Sequence, residues 1–319
     1  MKVLRLHGAH DLRLHDEPAP DPADGEVIVR VTAVGLCGSD LHWFDEAGIG
    51  DARLTRPLVL GHEFVGVIED GARAGERVAV DPAITCGRCA PCLAHQPHLC
   101  LDVRFAGHGV VDGALRSRLA WPAQLAHPLP DTLSDVDATL LEPLGVALHA
   151  VDLGHVRPGT RAGVFGCGPI GLLLIQALRA GGASVVARDV LPHRLEAALA
   201  LGATPADAAE VDVAFEVAGE DAALDDAIAA ARPGGRVVLV GIPAGDRTSF
   251  TASAARRKGL TLLLSRRMEP ADLPRALRLV ESGDVDLEPL VTARYGIDDW
   301  QDAFGDLAGR NGLKVVIEP

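Results

Sequence analysis

The pattern of apolar and polar residues changes character near residue 140. Before that point, short β-branched runs alternate with turn sequences such as Asp21-Pro22-Ala23-Asp24-Gly25. The runs at 27–34, 64–68 and 77–80 are flanked by glycines and predict β-strands. We therefore expect the first segment to be mostly β-structure.

From about residue 160, short apolar runs alternate with segments of helical periodicity. Strands are predicted at 161–165, 183–188, 211–217 and 236–240. Helices are predicted after Gly171 through Leu178 and over about 192–201 and 221–232. This alternation is typical of an α/β domain with a parallel, doubly wound sheet. The last fifty or so residues break the alternation and end in a predicted strand at 313–317.

Composition and charge narrow the function classes. The 319 residues suggest two domains, and the 3% aromatic content with abundant glycine favours α/β packing. A net charge of −14 makes nucleic acid or anionic lipid a poor partner. No signal-peptide pattern and no membrane-length apolar run are visible, so we expect a cytoplasmic protein in a reducing compartment.

Four clustered cysteines form the strongest single pattern, with the spacing Cys86-x-x-Cys89-x-x-Cys92-x7-Cys100. Four thiols within fifteen residues can reach one tetrahedral centre, as a closed structural zinc site requires. The alternatives are free or disulfide-bonded cysteines and an iron–sulfur cluster, and the spacing and compartment favour zinc. The nearby histidines are interpreted as surface or loop residues, because the site is already complete: His95, His98 and His108.

A glycine motif, Gly166-x-Gly168-x-x-Gly171, follows a predicted strand and opens a predicted helix. Asp189 ends the next strand, at the distance expected for an acid that binds the adenosine ribose of a dinucleotide. A carboxylate there repels a 2′-phosphate, so NAD is favoured over NADP. The alternative is a helix-packing glycine cluster. Arg188 and Arg194 flank Asp189 and leave NADP as an alternative cofactor.

A further set of polar residues has the chemistry of a catalytic zinc site. Cys37, His62 and Glu63 are three of the usual zinc ligand types, and Glu142 is another acid that could fill the shell. Ser39 and His42 are close enough in sequence to Cys37 to move a proton away from the metal. Each residue taken separately is more often an ordinary buried or surface side chain, so the hypothesis depends on their meeting near a cofactor.

Taken in order, these motifs resemble the zinc-dependent medium-chain dehydrogenase/reductase family. The Cys-Gly-Ser-Asp-x-His motif at 37–42, Gly-His-Glu at 61–63, the four cysteines and the Glu-Pro pair at 142–143 all match. The segments at 36–43, 57–63, 141–149 and 288–291 are most similar to the polyol branch, that of sorbitol dehydrogenase and L-idonate 5-dehydrogenase. The resemblance covers essentially the whole chain.

The resemblance implies a GroES-like β domain built from residues 1–143 and 266–319, with a zinc lobe at about 84–104. A Rossmann domain at 144–265 is inserted in it. In this family Cys37 and His62 bind the catalytic zinc, Glu63 completes its shell, and Glu142 either binds directly or holds a water there. Ser39 and His42 match the proton relay. The other implied residues are Trp43, Phe105 and Arg267 for the substrate and Gly166, Gly168, Pro169, Ile170, Gly171, Asp189, Arg194, Gly241 and Ser265 for the cofactor.

The implied activity is oxidation of a secondary hydroxyl group of a polyol or sugar acid, with hydride transfer to NAD. Two zinc ions per chain and a homodimer or homotetramer are expected. Arg266 and Met268 replace the aromatic residues that flank Arg267 in the family, and this departure could suit an acidic substrate. The alternatives are oxidation of L-threonine or a simple secondary alcohol and, more remotely, a non-enzymatic NAD-binding zinc protein.

Overall fold

The chain folds into two units, one of which is built from both chain ends. The computed structural model describes residues 1–207 and 210–319. The first unit comprises Met1–Glu142 and Leu287–Pro319, and the second comprises Pro143–Asp286. This arrangement agrees in kind with an α/β protein in which one domain is inserted in another.

The N-terminal part of the first unit is mostly β-structure. Its strands are β1 (Lys2–Gly8), β2 (Asp11–Asp16), β3 (Glu26–Gly35), β4 (Gly48–Ile49), β5 (Ala52–Arg53), β6 (Leu58–Val59), β7 (Glu63–Ile68), β8 (Arg77–Val80), β9 (Ala83–Ile84), β10 (Arg104–Phe105), β11 (Arg118–Pro122) and β12 (Ala126–Pro128). The helices are α1 (Gly38–Glu46), α2 (Ala90–Leu93) and α3 (Asp135–Ala138), and α4 (Leu141–Leu153) begins here. The predicted strands at 27–34, 64–68 and 77–80 correspond to β3, β7 and β8, whereas α1 was not predicted.

The second unit contains a six-stranded parallel sheet. Its strands are β13 (Arg161–Phe165), β14 (Ser184–Arg188), β15 (Thr204–Pro205), β16 (Val211–Glu216), β17 (Ala231–Leu239) and β18 (Thr261–Leu264), in the spatial order β15-β14-β13-β16-β17-β18. The helices are α5 (Pro169–Ala180), α6 (Pro192–Ala200), α7 (Asp221–Ala230), α8 (Ala252–Lys258) and α9 (Asp272–Glu281). The strand order reverses at β13, so the end of β13 is the position where such sheets bind nucleotides.

The chain then returns to the first unit through β19 (Val291–Gly296), α10 (Trp300–Gly309) and β20 (Lys314–Glu318). β20 pairs antiparallel with β3 and parallel with β19, so the C-terminal strand enters the main sheet of the first unit. The seven strands of this sheet run in the order β12-β8-β7-β3-β20-β19, with β11 also on β3. Phe64, Trp121 and Phe304 are buried in its core, each contributing about 1.5–3 kcal/mol through loss of apolar surface from water.

Residues 266–286 lie in the second unit, although the sequence analysis assigned them to the domain formed by the chain ends. Polar contacts within the second unit account for this difference. The side chain of Gln176 on α5 exchanges two hydrogen bonds with the backbone of Asp286, at 2.8 and 2.9 Å. Arg275 on α9 also pairs with Asp152 on α4 at 2.7 Å. The first boundary differs from the predicted one by a single residue.

Candidate metal centres and nucleotide-binding edge

Helix α1 begins at the first candidate metal ligand. Cys37 is its N-cap residue, and the carboxylate of Asp40 accepts the Cys37 N–H at 3.0 Å through Oδ2. The other oxygen, Oδ1, accepts the N–H of Gly61 at 3.2 Å. Asp40 therefore fixes the start of α1 against the residue that precedes His62, although Cys37 and His62 are far apart in sequence.

His62 is buried and its ring faces Asp40, with 3.6 Å between Nδ1 and Oδ1. Burial disfavours the charged imidazole, but the Asp40 carboxylate outweighs this effect and raises the pKa of His62 well above its ordinary value. Because Nδ1 is directed at a carboxylate, Nε2 is the ring nitrogen left to bind a metal.

The ligand atoms of Cys37, His62 and Glu63 all lie within 4.8 Å of one another. Zinc at ~2.0–2.3 Å from each ligand atom in tetrahedral geometry holds these atoms about 3.3–3.8 Å apart. Small side-chain shifts therefore suffice for these three residues to bind one zinc ion. Three protein ligands leave one tetrahedral position for substrate, which is the composition of a catalytic zinc site.

Glu142 lies in the first turn of α4 and is buried, but it is not part of this group of three. Burial raises the pKa of Glu142 to about 8, and the charge of Glu63 adds to the shift whereas His62 and Lys314 oppose it. Glu142 is thus an electrostatic neighbour of the metal group. Its role as a ligand or as a holder of water remains a proposal.

Lys314 is a charged residue of this site that the sequence analysis missed. Its side chain is 2% exposed, its ammonium pairs with Glu63 Oε2, and it donates to the Leu36 carbonyl at 2.9 Å. The sequence feature that could have indicated this residue is its position at the start of the apolar run Val315-Val316-Ile317. Asp40 was likewise quoted as part of a motif but given no role.

Ser39 and His42 lie on α1 at a spacing of three residues, which places them on the same side of the helix. The side chain of His42 is 22% exposed, and its Nδ1 lies 3.2 Å from Glu46 Oε1. The helix therefore leads from the metal ligand Cys37 towards an imidazole in contact with solvent. This arrangement suits the proton relay that the family resemblance implies.

The rings of Trp43, Phe105 and His108 form an aromatic wall beside His62. The Phe105 ring lies 5.4 Å from the His62 ring and 5.9 Å from that of His108. Trp43 is buried and donates from Nε1 to His108 Nδ1 at 3.1 Å. The sequence analysis gave His108 no role, and the structure instead places it beside the predicted substrate residues Trp43 and Phe105.

The four clustered cysteines form the second candidate metal centre. The sulfur atoms of Cys86, Cys89, Cys92 and Cys100 lie within 4.8 Å of one another. Backbone N–H groups, that of Leu101 first, lower the pKa of Cys89 to about 6, whereas burial and neighbouring thiols raise the pKa of Cys92 to about 12. Without a metal these four groups cannot all ionise together, whereas a dication favours four thiolates, so the donor set fits a closed zinc site.

The glycine motif lies between β13 and α5, at the end of β13 where the strand order reverses. Gly166 has φ +105°, and a Cβ there would lie 2.8 Å from the Ala218 nitrogen. A Cβ on Gly171 would lie 2.0 Å from the Gly166 carbonyl oxygen. Gly168 is the N-cap of α5, and Pro169 and Ile170 form its first turn. The loop can thus present backbone N–H groups to a pyrophosphate.

Asp189 follows β14 and already holds this loop. Its Oδ2 accepts the Cys167 N–H at 2.6 Å, and its Oδ1 accepts the Leu191 N–H at 2.8 Å. An Arg194 guanidinium nitrogen lies 3.5 Å from the position of a Cβ built on Gly168. The sequence analysis predicted that Asp189 binds ribose, which stays a prediction, and the structure shows that Asp189 shapes the turn.

The remaining predicted residues lie at the carboxyl ends of β17 and β18. Gly241 packs on the Gly219 backbone, where a Cβ would meet the Gly219 nitrogen at 2.1 Å. Ser265 donates its N–H to the Leu239 carbonyl at 2.9 Å. Arg267 is half-buried in the second unit, whereas Arg266 is exposed and Met268 is buried against Gly145. Met268 therefore packs inside the second unit, against Gly145.

Among the described residues, no helix is long and apolar enough to cross a membrane.

Comparison with known proteins agrees with this geometry. Residues 23–131 match the family model described as the alcohol dehydrogenase GroES-like domain, and residues 169–282 match that of the zinc-binding dehydrogenases. Sorbitol dehydrogenase of Bacillus subtilis is 35% identical, over 100% of this chain and 97% of that protein.

Solved structures show the same fold. L-Idonate 5-dehydrogenase from Escherichia coli has a TM-score of 0.92 at 27% identity, covering 100% of this chain and 98% of that one. A zinc-binding dehydrogenase from Sinorhizobium meliloti bound to NADP has a TM-score of 0.90 at 29% identity, covering 100% and 99%. The chain therefore belongs to the zinc-dependent medium-chain dehydrogenase/reductase family, in its polyol branch, and is a zinc- and nicotinamide-dependent dehydrogenase.

Proposed function

We propose that the protein oxidises a secondary hydroxyl group of a polyol or sugar acid to a ketone and transfers the hydride to NAD. The observation that carries this proposal is the group formed by Cys37, His62 and Glu63. The similarity to sorbitol dehydrogenase and L-idonate 5-dehydrogenase supports the substrate class. In the alcohol dehydrogenase branch a cysteine occupies the position of Glu142, so the acid here favours polyols over simple alcohols.

When bound by these ligands, zinc supplies Lewis-acid polarisation that makes a substrate hydroxyl more acidic. Cys37 and Glu63 supply negative ligand atoms, and Asp40 orients the imidazole of His62. The Ser39 hydroxyl would accept the proton of the substrate hydroxyl as it donates its own proton onward, in the family's scheme through the nicotinamide ribose to His42. His42 would release that proton to water at the solvent-exposed side of α1. Trp43 and Phe105 exclude water from one side of the site.

We further propose that NAD is preferred over NADP. Asp189 carries a negative charge where the adenosine ribose of a dinucleotide binds in this fold, and a 2′-phosphate there would be repelled. The NADP-bound relative shows that this fold can also accommodate NADP. The preference therefore depends on Asp189 and its neighbours.

We also propose different roles for the two units. The first unit would hold both metals, with the structural zinc lobe at about 84–104, and the second would bind the dinucleotide. We propose a homodimer or homotetramer in the cytoplasm. Strand β18 is an edge strand whose Leu264 is 79% exposed, which supports burial of that edge against another subunit.

The test is NAD reduction by the zinc-loaded protein, measured with a panel of polyols and sugar acids. L-Threonine and 2-butanol represent the alternative substrate classes. We expect the highest kcat/KM with a polyol or sugar acid and loss of turnover in Cys37→Ser. Faster turnover of L-threonine or 2-butanol would replace the proposed substrate class, and no turnover with any of them would favour a non-enzymatic zinc protein.

A further inference from the structure

The buried lysine of β20 is unusual because it lies beside a metal ligand. Lys314 and Glu63 are 2% and 1% exposed, and the Lys314 ammonium pairs with Glu63 Oε2. Isolated charges of this kind are costly to bury, so each depends on the other. The lysine is therefore a cation inside a site that is built to bind a cation.

The fold holds this lysine firmly in place. Lys314 donates to the carbonyl of Leu36, the residue before Cys37, at 2.9 Å. The antiparallel register of β20 on β3, in which Val316 lies opposite Gly35, fixes the backbone near it. Lys314 thus contacts the backbone next to one metal ligand and the side chain of another.

Gly35 provides the space for the ion pair. A Cβ at this position would lie 2.3 Å from Glu63 Oε2 and 2.8 Å from Lys314 Cε. The last residue of β3 is therefore compatible with the pair only because it has no side chain. The carboxylate of Glu63 is confined between the β3 backbone and the ammonium group.

The positive charge of Lys314 can compete with a bound zinc ion for the carboxylate of Glu63. Cys37 and Glu63 would offer a thiolate and a carboxylate to a bound dication, and Glu142 lies near enough to interact electrostatically with Glu63. One positive charge beside Glu63 competes with zinc for that carboxylate, and in a poorly solvated site this competition is only weakly screened. The Lys314 ammonium draws electron density from Oε2, which favours metal binding through Oε1 alone.

We propose that Lys314 is a positioning residue that restricts Glu63 to one metal-binding oxygen, and so weakens zinc binding while keeping a coordination position open for substrate. The inference rests on the proposed function of Cys37, His62 and Glu63 as the catalytic zinc ligands. The contact between Lys314 and Glu63 would thus explain why one coordination position of the zinc stays open for substrate.

The substitution Lys314→Met removes the charge and keeps most of the aliphatic stem. We expect a chelator to extract the labile zinc from the holoenzyme about tenfold more slowly in this variant, because changes around metal ligands commonly alter affinity by ~10–100-fold. A lysine that only supports the fold predicts the opposite sign, since a loosened site releases zinc faster. Lys314→Arg keeps the charge and should restore extraction to nearly the wild-type rate.

Replacement of the labile zinc by Co²⁺ provides a second readout. If both oxygens of Glu63 bind in Lys314→Met, the coordination number rises and the visible d–d absorption of Co²⁺ becomes weaker. Lys258→Met is the matched control, because Lys258 also donates to backbone carbonyls, those of Ile228, Ala229 and Ala231, but lies in the other unit. Its metal release and Co²⁺ spectrum should equal those of the wild type.

Unchanged or faster zinc release from folded Lys314→Met would overturn the proposal. If that variant does not fold, Lys314→Gln takes its place, because it removes the charge but keeps a donor for the Leu36 carbonyl, and the same slower release is expected. Failure of both variants to fold would make Lys314 a structural residue and overturn the proposal. None of these measurements uses a substrate, so inactivity of the wild-type enzyme on polyols would contradict the proposed function and leave this inference standing.

Discussion

Asp40 Oδ1 lies 3.6 Å from His62 Nδ1, and the same carboxylate accepts the backbone N–H groups of Cys37 and Gly61. One buried side chain therefore orients the ring of one candidate zinc ligand and the backbone of another. The sequence places Asp40 in the same short motif as Cys37, but its link to His62 exists only in the folded protein.

Asp40→Asn should weaken the labile zinc site. Asparagine preserves the size but removes the charge and one acceptor, so it cannot serve both backbone N–H groups and the imidazole. Loss of such a partner commonly costs about 10–100-fold in metal affinity or activity. The zinc affinity, measured by titration, and kcat/KM should fall together. The control is Asp45→Asn on the exposed side of α1, and equal effects of the two substitutions would contradict a specific role for Asp40.

Local patterns predicted much of the fold. The strand at 161–165 was predicted with its observed bounds, because a short apolar run followed by a glycine motif is determined by neighbouring residues. The α/β class, the family and the dehydrogenase activity were confirmed. Helix α1 was missed because its start is occupied by metal-site residues rather than by helical periodicity.

Long-range contacts account for what the sequence did not reveal. Lys314 reaches Leu36 across 278 residues, and only the register of β20 on β3 brings them together. His108 becomes part of the aromatic wall because Trp43 of α1 donates to its ring. The site contacts of Asp40, His108 and Lys314 depend on pairings that no local pattern specifies.

The two metal centres should differ in lability. The four-cysteine site is closed, whereas the site of Cys37, His62 and Glu63 has an open position through which a chelator can enter. After mild chelation, metal analysis should find about one zinc retained per chain, with activity lost. Full activity after loss of the labile zinc would contradict its catalytic role.

The charge of Asp189 should determine cofactor choice. Asp189→Ser, with Arg188 and Arg194 retained, should shift the ratio of kcat/KM values towards NADP, because the repulsion of the 2′-phosphate is removed. Asp189 also binds the N–H groups of Cys167 and Leu191, so Asp189→Asn is needed as a control that keeps an acceptor. The same shift in both variants would assign the effect to the charge. An unmodified enzyme that already prefers NADP would show that this interpretation of Asp189 is wrong.

Asp272 should make stability depend on pH. It is 4% exposed, and burial raises its pKa from 3.8 to about 6. The protonated form is therefore favoured in the folded state, so its stabilising contribution is complete below about pH 4 and is lost as the pH rises through 6. Asp272→Asn removes this loss.

Denaturant unfolding at pH 5 and pH 8 tests this expectation. The stability of Asp272→Asn relative to wild type should be greater at pH 8 than at pH 5 by about 1 kcal/mol. The exposed Asp302→Asn is the control for the removal of one carboxylate. Equal differences at both pH values would mean that Asp272 does not titrate between them.

Glu142 should matter more for turnover than for folding. It is buried in the first turn of α4, and burial raises its pKa to about 8 even though His62 and Lys314 oppose the shift. Bound zinc would add a further positive charge that favours the carboxylate. Glu142→Gln preserves the size and removes the charge, so it should lower kcat by about 10–100-fold through the lost interaction near the metal. The melting temperature should stay close to that of the wild type, because the neutral side chain costs less to bury. Ordinary turnover would mean that Glu63 and water complete the zinc shell without it, and collapse of the fold would make Glu142 a structural residue.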